Sequence, residues 1–493
     1  MKTALALLSS LCIMATQVPP VAETGSVSST NATYDGNALL LSGHVVLDHG
    51  LGKMIADEAS LQKQEIGKDF PFSVIQLRNE VHLSLKNHAE LLCYTADLDF
   101  NSLKGILHSK EGESKVVYKD AFKKKKENVP FSLTGETVEL LFSKQGEEGK
   151  KTDYAIETVL IKEDVLIDYA SLFSLTADHA LYRTNISQQT TEFQGIITAY
   201  PKDSTTRCCL THKEDVIHAD MVDLDLFHSK LTLLHPTGRL VTSFIDRTDQ
   251  DPMRFSSDQL IWDHLANTLT LRGHVQIEEN SLGSVTSSDE LRLVQTLVKG
   301  KHLLKEIHSQ GQTTLVYTHP SFDKPHRLMC YGKMDIDRNK LHATLDSPEK
   351  EGRVPSDKQI YYEEEAIGVF ADKANLEYAL NDSILQPVSL LLKGNIRLFS
   401  HDPKQPPRCG VADRLNYSMT TRTLILAADP GKKVLFWDES QGLRMSATEV
   451  HIVYDPETKQ HTVKGVGKVQ FALSPEEQLH LKQLFPYYKV THE

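Results

Sequence analysis

A two-residue signature, a small residue followed in most copies by an acidic one, recurs about every 40 residues along this chain. The eleven copies are Ala56-Asp57, Ala96-Asp97, Gly135-Glu136, Ala177-Asp178, Ala219-Asp220, Ser257-Asp258, Ser288-Asp289, Gly332-Lys333, Ala371-Asp372, Ala412-Asp413 and Ala447-Thr448. Such a period is typical of repeat proteins, in which each unit buries its apolar face against its neighbours. A unit of this length has room for about four short strands. The sequence therefore predicts a nearly gapless β array.

A second signature places a glycine at the centre of an alternating apolar pattern, as in the segment Thr268–Glu278. We predict that this segment is one half-buried strand that bends or bulges at Gly273, because glycine weakens a regular strand. Its apolar face comprises Leu269, Leu271, Val275 and Ile277. Related segments, some with another residue in the central place, carry the apolar faces Leu39, Leu41, Val45, Leu47, then Leu77, Val81, Leu83, and then Leu392, Ile396, Leu398.

The predicted fold class is all-β, an elongated repeat array of antiparallel strands, because short alternating segments are separated by turn residues and helical periodicity is nearly absent. The C-terminus is the exception. Ser474 is a good N-cap, Pro475 suits the first helical position, and Glu477 completes a capping box. A short helix is predicted there, and we expect it to close one end of the array.

The repeated sequence pattern is less regular in two stretches. The lysine-rich stretch 110–127 is predicted to be a solvated insertion outside the sheet, because it contains four consecutive lysines. The stretch 317–324 is predicted to be a loop, because prolines punctuate it.

The N-terminal residues favour export. Lys2 precedes an apolar run that is short for a membrane span and typical of a secretory signal peptide. We predict a signal peptide and N-terminal arm at 1–22, a first repeat region at 23–250, a second at 251–473, and a helix and tail at 474–493. The formal net charge of −12 argues against nucleic acid as a partner.

Motifs of the common enzyme classes are missing from the sequence, which has no G-x-S-x-G, H-E-x-x-H, phosphate-binding loop or dinucleotide fingerprint. The acidic residues of the pairs follow the repeat and are predicted to bind turn amides or to keep sheet edges soluble. His44 and His274 are predicted to face solvent. Buried free thiols are predicted for the strand cysteines. We therefore predict a non-enzymatic protein without catalytic residues, cofactor or metal.

Together the two signatures resemble the OstA-like family, which comprises lipopolysaccharide-transport proteins of the LptA, LptC and LptD N-terminal-domain type. The resemblance rests on L-S-G-H-V-V-L and I-A-D-E-A-S-L within 41–61, on L-L-K-G-N-I-R-L and V-A-D-R-L-N-Y within 391–417, and on their copies from about residue 32 to 471. It implies a half-open β-jelly-roll, or β-taco, whose interior carries acyl chains. The lining it implies is Leu39, Leu41, Val45, Leu47, Leu77, Val81, Leu83, Leu269, Leu271, Val275, Ile277, Leu392, Ile396 and Leu398.

The function this implies is binding of lipopolysaccharide or a related glycolipid in the periplasm and its transport to the outer membrane, without catalysis. The implied partners are the lipid and other OstA-like proteins joined by edge-strand addition, and association with the outer membrane is compatible with this role. The alternative is a secreted structural β-solenoid whose apolar face is fully packed and whose outer face binds another protein.

Overall fold

The computed structural model of the chain describes residues 26–63, 72–124, 127–145, 153–185, 194–240, 252–279, 283–298, 301–317, 325–364, 367–381, 384–400, 407–455 and 460–485. The predicted signal peptide and residues 318–324 of the loop predicted at 317–324 lie outside these ranges, while Tyr317 ends a strand. Within them the chain forms 39 β-strands and one α-helix. It divides into two compact units, the first formed by residues up to Asp120 with Gly135–Val159, and the second by Ala121–Thr134 with the residues from Leu160 onward.

The predicted boundary at 250/251 falls within the second unit, in a stretch outside the described residues, and stays a prediction. The first eleven strands are β1 (Val27–Ser28), β2 (Asn31–Tyr34), β3 (Ala38–His49), β4 (Gly52–Lys63), β5 (Phe72–Leu85), β6 (Glu90–Asp99), β7 (Lys104–His108), β8 (Val116–Lys124), β9 (Glu127–Gly135), β10 (Thr137–Gln145) and β11 (Asp153–Tyr169).

Long strands of the first unit bend at the repeated signatures. The β3–β4 register shifts between Ser42 and Val45, so that Gly43 and the next residue leave the ladder. The β5–β6 register shifts in the same way between Arg78 and Val81. Each bent strand therefore contributes its two halves to two different parts of the sheet.

The second unit continues this pattern with shorter strands. They are β12 (Phe173–Asn185), β13 (Gln194–Tyr200), β14 (Cys208–His212), β15 (Asp215–Ala219), β16 (Met221–Asp225), β17 (Lys230–Leu234), β18 (Thr237–Leu240), β19 (Met253–Ser256), β20 (Gln259–Asp263), β21 (Thr268–Arg272), β22 (Val275–Glu279), β23 (Gly283–Ser287), β24 (Glu290–Val298), β25 (Lys301–Gln310), β26 (Thr313–Tyr317), β27 (His326–Cys330), β28 (Lys333–Asp337), β29 (His342–Asp346), β30 (Ile360–Glu364), β31 (Ile367–Ala371), β32 (Lys373–Asn381), β33 (Ile384–Ser400), β34 (Arg408–Ser418), β35 (Thr423–Ala427), β36 (Val434–Asp438), β37 (Leu443–Ala447), β38 (Glu449–Asp455) and β39 (Gln460–Val466). A short 3-10 turn covers Ser356–Lys358, and α1 is Pro475–Leu484.

Antiparallel pairing in the second unit follows two ladders. Ladder A runs through β13, β16, β17, β20, β21, β24, β25, β28, β29, β32 and the N-terminal part of β33, and ends at β39. Ladder B runs through β14, β15, β18, β19, β22, β23, β26, β27, β30, β31 and the C-terminal part of β33, and ends at β37. The chain adds two strands to one ladder, crosses, and adds two to the other. The prediction of about four strands per repeat is thus confirmed.

Both ladders contribute to one apolar core. Leu376 and Leu392 from ladder A and Val369 and Leu398 from ladder B belong to a single buried cluster. The all-β class and the antiparallel sheet are therefore confirmed, and the alternating pattern marks the side of each strand that faces this core.

Two sequence predictions need correction. Thr268–Glu278 is not one strand, because it divides into β21 in ladder A and β22 in ladder B, which pair with different neighbours. The stretch 110–127 is not simply a solvated insertion either. Its residues Val116 and Tyr118 are fully buried, and β8 pairs with β6. Alternating apolar residues ahead of the lysine run carry β8 into the sheet, whereas Lys125 and Lys126 lie outside the described residues.

The predicted C-terminal helix is confirmed, including the capping box between Ser474 and Glu477. Leu481 and Phe485 pack with Leu435 and Trp437 of β36. These two strand residues alternate with Phe436, which faces the core between the ladders. The helix therefore covers the outer face of ladder B near its last strands, rather than simply ending the array.

Candidate functional site

The two repeated signatures meet at the corners where the chain crosses between ladders. The Asp258 amide donates hydrogen bonds to the carbonyl oxygens of Arg272 and Gly273, at 3.0 and 2.9 Å. The Gly273 amide in turn donates to the Asp289 carbonyl at 2.7 Å. The backbone ladder therefore continues through successive corners. Asp258, Asp289 and Asp372 each lie against a glycine of a neighbouring strand, namely Gly273, Gly311 and Gly394.

Glycine is required at this corner for two reasons. Gly273 and His274 have φ values of +66° and +43°, in the left-handed region that favours glycine. A Cβ on Gly273 would lie 2.1 Å from Oδ2 of Asp258, which is closer than atoms can approach. The predicted bend at Gly273 is confirmed, and the acidic side chain fills the space that the missing Cβ leaves.

The acidic side chains hold the corner. Oδ2 of Asp258 lies 2.9 Å from Nδ1 of the exposed His274, and Oδ2 of Asp372 accepts a hydrogen bond of 2.7 Å from Asn395. Asp413 accepts one from the Asp429 amide at 2.8 Å, as the prediction of turn-amide binding requires. These carboxylates therefore fix the register of the repeat. Among the described residues, no group of three His, Cys, Asp or Glu side chains is arranged to hold a metal ion.

The structure places most of the predicted lining in the core. Twelve of the fourteen residues are buried, each no more than 8% exposed: Leu41, Val45, Leu47, Leu77, Val81, Leu83, Leu269, Leu271, Val275, Leu392, Ile396 and Leu398. The other two, Leu39 and Ile277, are half-buried. The fourteen residues are divided between the two units, with Leu39 to Leu83 in the first and Leu269 to Leu398 in the second.

Burial in part of the second unit decreases with distance from the corner. Val275, next to the corner, is 1% exposed, whereas Ile277, two residues along β22, is half-buried. Met334 and Ile336 of β28 show the same step, from 1% exposed to half-buried. The inward face is thus sealed at the corners and partly accessible at the far ends of the strands.

The accessible side chains align across neighbouring strands. In ladder A, Ile307 pairs with Leu293 on one side and with Ile336 on the other. In ladder B, Val285 pairs with Ile277 and with Leu315. We define the rim as five half-buried inward residues of strands β22, β23, β25, β26 and β28, namely Ile277, Val285, Ile307, Leu315 and Ile336.

The rim opens onto the core of the same unit. Leu315 from ladder B and Ile336 from ladder A both pack against the buried cluster that contains Leu328. Sequence reasoning selected Ile277 alone among the rim residues. The others could have been found from their own alternating segments, such as T-T-L-V-Y at 313–317.

The first unit closes the corresponding strand ends with aromatic rings. The ring centroids of His49 and Phe100 are 4.1 Å apart, and those of Phe100 and Phe142 are 5.5 Å apart. Tyr154 stacks on His49 at 5.3 Å. His49, Phe100 and Phe142 are all buried, so the interior of the first unit is a packed core at this end of its strands.

The described cysteines are free thiols, and Cys93, Cys208, Cys330 and Cys409 are buried. Burial raises the pKa of the Cys93, Cys208 and Cys409 thiols to about 12. Nucleophilic or metal-binding thiols need the opposite shift. The prediction of buried strand cysteines, made for Cys93 and Cys409, is confirmed, and Cys208 and Cys330 are buried as well, whereas Cys209 is only half-buried.

The fold and this interior define a β protein with two pairing ladders around an apolar core that is partly accessible along one rim. No family model matches the chain, and no curated protein sequence matches it significantly. Within the described residues, the α-helical structure includes no segment with the length and apolarity needed to cross a membrane.

Proposed function

We propose that this protein binds the hydrocarbon chains of a lipid along the rim of its second unit and carries that lipid without chemical change. The observation that supports the proposal is the decrease in burial from the corners to the rim, which leaves aligned apolar side chains accessible in both ladders. Its finer form is a half-open β-jelly-roll that moves lipopolysaccharide or a related glycolipid through the periplasm to the outer membrane. That form rests on the resemblance of the repeat to OstA-like proteins.

The physical basis is transfer of apolar surface out of water. Each methylene group of an acyl chain that leaves water contributes about 0.8 kcal/mol, so a chain of about ten methylenes supplies several kcal/mol after the cost of ordering it. Rim residues need only be apolar and accessible for this purpose.

Mass spectrometry of lipid that co-purifies with the protein tests the proposal, together with uptake of a fluorescent fatty acid. Ile277→Asp places a charge on the rim and should reduce uptake at least about tenfold while circular dichroism is preserved. Gln276→Asp is the matched control, because Gln276 is exposed on the opposite face of the same strand. Equal uptake by the two variants, or a wild-type protein that binds no lipid, would contradict the proposal.

The second candidate is a structural β-solenoid that acts as a protein-interaction module. It is favoured by the first unit, where Val45, Leu47, Leu77 and Leu83 are fully buried and aromatic rings close the strand ends. In this case Ile277→Asp changes no lipid binding, and the outer faces carry the function.

A further inference from the structure

A polar cluster interrupts the inward face of ladder B beyond the rim residues. Strand β30 places Ile360, Tyr362 and Glu364 on one face, and the first two are buried in the core. Glu364 follows them in the alternation and retains 25% exposure of its side chain. Glu364 pairs with Ile367, which pairs in turn with Ser400, so apolar and polar side chains share this row of the inward face.

Groups from both ladders meet at this carboxylate. The Tyr362 hydroxyl donates to Oε2 of Glu364 at 2.9 Å, and the Tyr417 hydroxyl donates to Oε1 at 3.3 Å. Tyr417 belongs to the part of β34 that pairs with β35 in ladder A, so its bond spans the interior between the ladders. His326 of β27 lies beside them, with Nε2 at 3.9 Å from Oε1 and Nδ1 at 3.2 Å from the Tyr362 hydroxyl.

The Glu364 carboxylate is partly buried and is held mainly by neutral hydroxyl donors. Burial raises the pKa of Glu364, while the two tyrosine hydroxyls and the charge of Arg422 hold it down. Among the described residues, His326 is the one side chain within 4.0 Å of the Glu364 carboxylate that can carry a positive charge. Each carboxylate oxygen has two lone pairs, and the two tyrosines use one on each. One acceptor position per oxygen is left, on a side chain that solvent reaches.

We propose that Glu364, with Tyr362 and Tyr417, forms a subsite for an amine group carried by a hydrocarbon chain bound along the interior of the second unit. The proposal rests on the proposed function, because the chain must be held by the apolar faces. An ammonium group donates three hydrogen bonds and brings a positive charge directly to the acceptor positions of the partly buried carboxylate. An anionic head group is disfavoured at the same place, because it would meet a like charge in a desolvated setting.

The test compares three ligands that differ only in their head group: tetradecylammonium, tetradecanol and tetradecanoate. Each displaces a fluorescent fatty acid from the full-length protein at about pH 8, where the amine is charged. We expect tetradecylammonium to bind about tenfold more tightly than tetradecanol, because its positive charge attracts the carboxylate in addition to the hydrogen bond. Tetradecanoate should bind more weakly than either, because its charge has the same sign as that of the carboxylate. In Glu364→Gln the preference for tetradecylammonium over tetradecanol should fall below about twofold.

Glu363→Gln is the matched control. It removes the same charge from the same strand, on the opposite face, and should keep the amine preference of the wild type. If Glu364→Gln retains the preference, or if the wild type binds tetradecanol as well as the amine, the subsite is wrong while the lipid-binding proposal stands. Failure of all three ligands to displace the probe from the wild type would instead overturn the proposed function, and the subsite with it.

Discussion

The first unit and the rim of the second unit use the same alternating strands and differ at the ends of those strands. In the first unit, Phe100 and Phe142 stack beside His49 and close the interior. In the second, the equivalent far ends carry aliphatic side chains such as Ile277 and Ile336, which are half-buried. Alternation therefore sets which face points inward, and the size of the side chains at the strand ends decides whether that face is a sealed core or an accessible wall.

The largest expected effect comes from removing an aromatic ring from the sealed end. Phe142→Ala should lower the free energy of unfolding by about 3 to 5 kcal/mol, because it deletes a buried ring and leaves a cavity. Ile336→Ala at the rim should cost at most about 2 kcal/mol, because solvent already reaches that side chain. Urea unfolding followed by circular dichroism measures both. Equal losses would mean that the two regions are packed alike and would remove the contrast between them.

Corners occur in both regions, and a substitution that disrupts one of them tests the repeat itself. Gly273→Ala should cost about 2 to 4 kcal/mol, from a left-handed backbone that disfavours alanine and from the clash with Asp258. Gly431→Ala is the control, because Gly431 also has a positive φ, +86°, but has no atom within 4 Å of the added Cβ. It should cost about 1 to 2 kcal/mol.

A second substitution separates the two contributions at Gly273. Asp258→Ala combined with Gly273→Ala should recover part of the loss, since it removes the carboxylate that the new Cβ meets. Strictly additive losses in thermal or urea unfolding would show that the glycine and the acidic residue do not form one structural element.

The corner also explains what could and could not be predicted from the sequence. Leu271 and Val275 are four residues apart, and the two left-handed residues between them preserve the alternation. The inward face was therefore predictable, while the division of the segment into two strands was not. Glu364 was not predicted as a site residue for another reason. It lies in the run Tyr361 to Glu365, where the sequence alone does not show which polar residues face inward and which face outward.

A smaller effect follows from the titration of Glu364, which distinguishes the interior of the second unit from the sealed core of the first. Its folded-state pKa is raised by burial, so the stability associated with the protonated carboxyl is fully present below the ordinary glutamate pKa, about 4.3, and is lost as the pH rises through the raised value. The melting temperature of the wild type should therefore fall relative to that of Glu364→Gln by about 2 °C or more between about pH 4 and pH 8.

Glu363→Gln serves again as the control for loss of one negative charge on β30. A wild-type melting temperature that instead rises relative to that of Glu364→Gln between about pH 4 and pH 8 would mean that the folded protein favours the ionised carboxylate, against the burial seen at this position.

The smallest expected effect on stability comes from cysteine substitutions, which test how accessible a side chain is to a reagent in solution. Cys93, Cys208 and Cys409 give a low background, because they are buried and their pKa values are raised to about 12, which leaves almost no thiolate at pH 8. The half-buried Cys209 is replaced by serine in both variants. A cysteine introduced by Ile336→Cys should react with a thiol reagent at least about tenfold faster than one introduced by Leu83→Cys, which lies in the sealed core of the first unit. Hydrocarbon ligand should slow the reaction at residue 336 and leave that at residue 83 unchanged, because only the rim is exposed to ligand. Protection at both positions, or at neither, would show that burial at the strand ends does not separate core from binding surface.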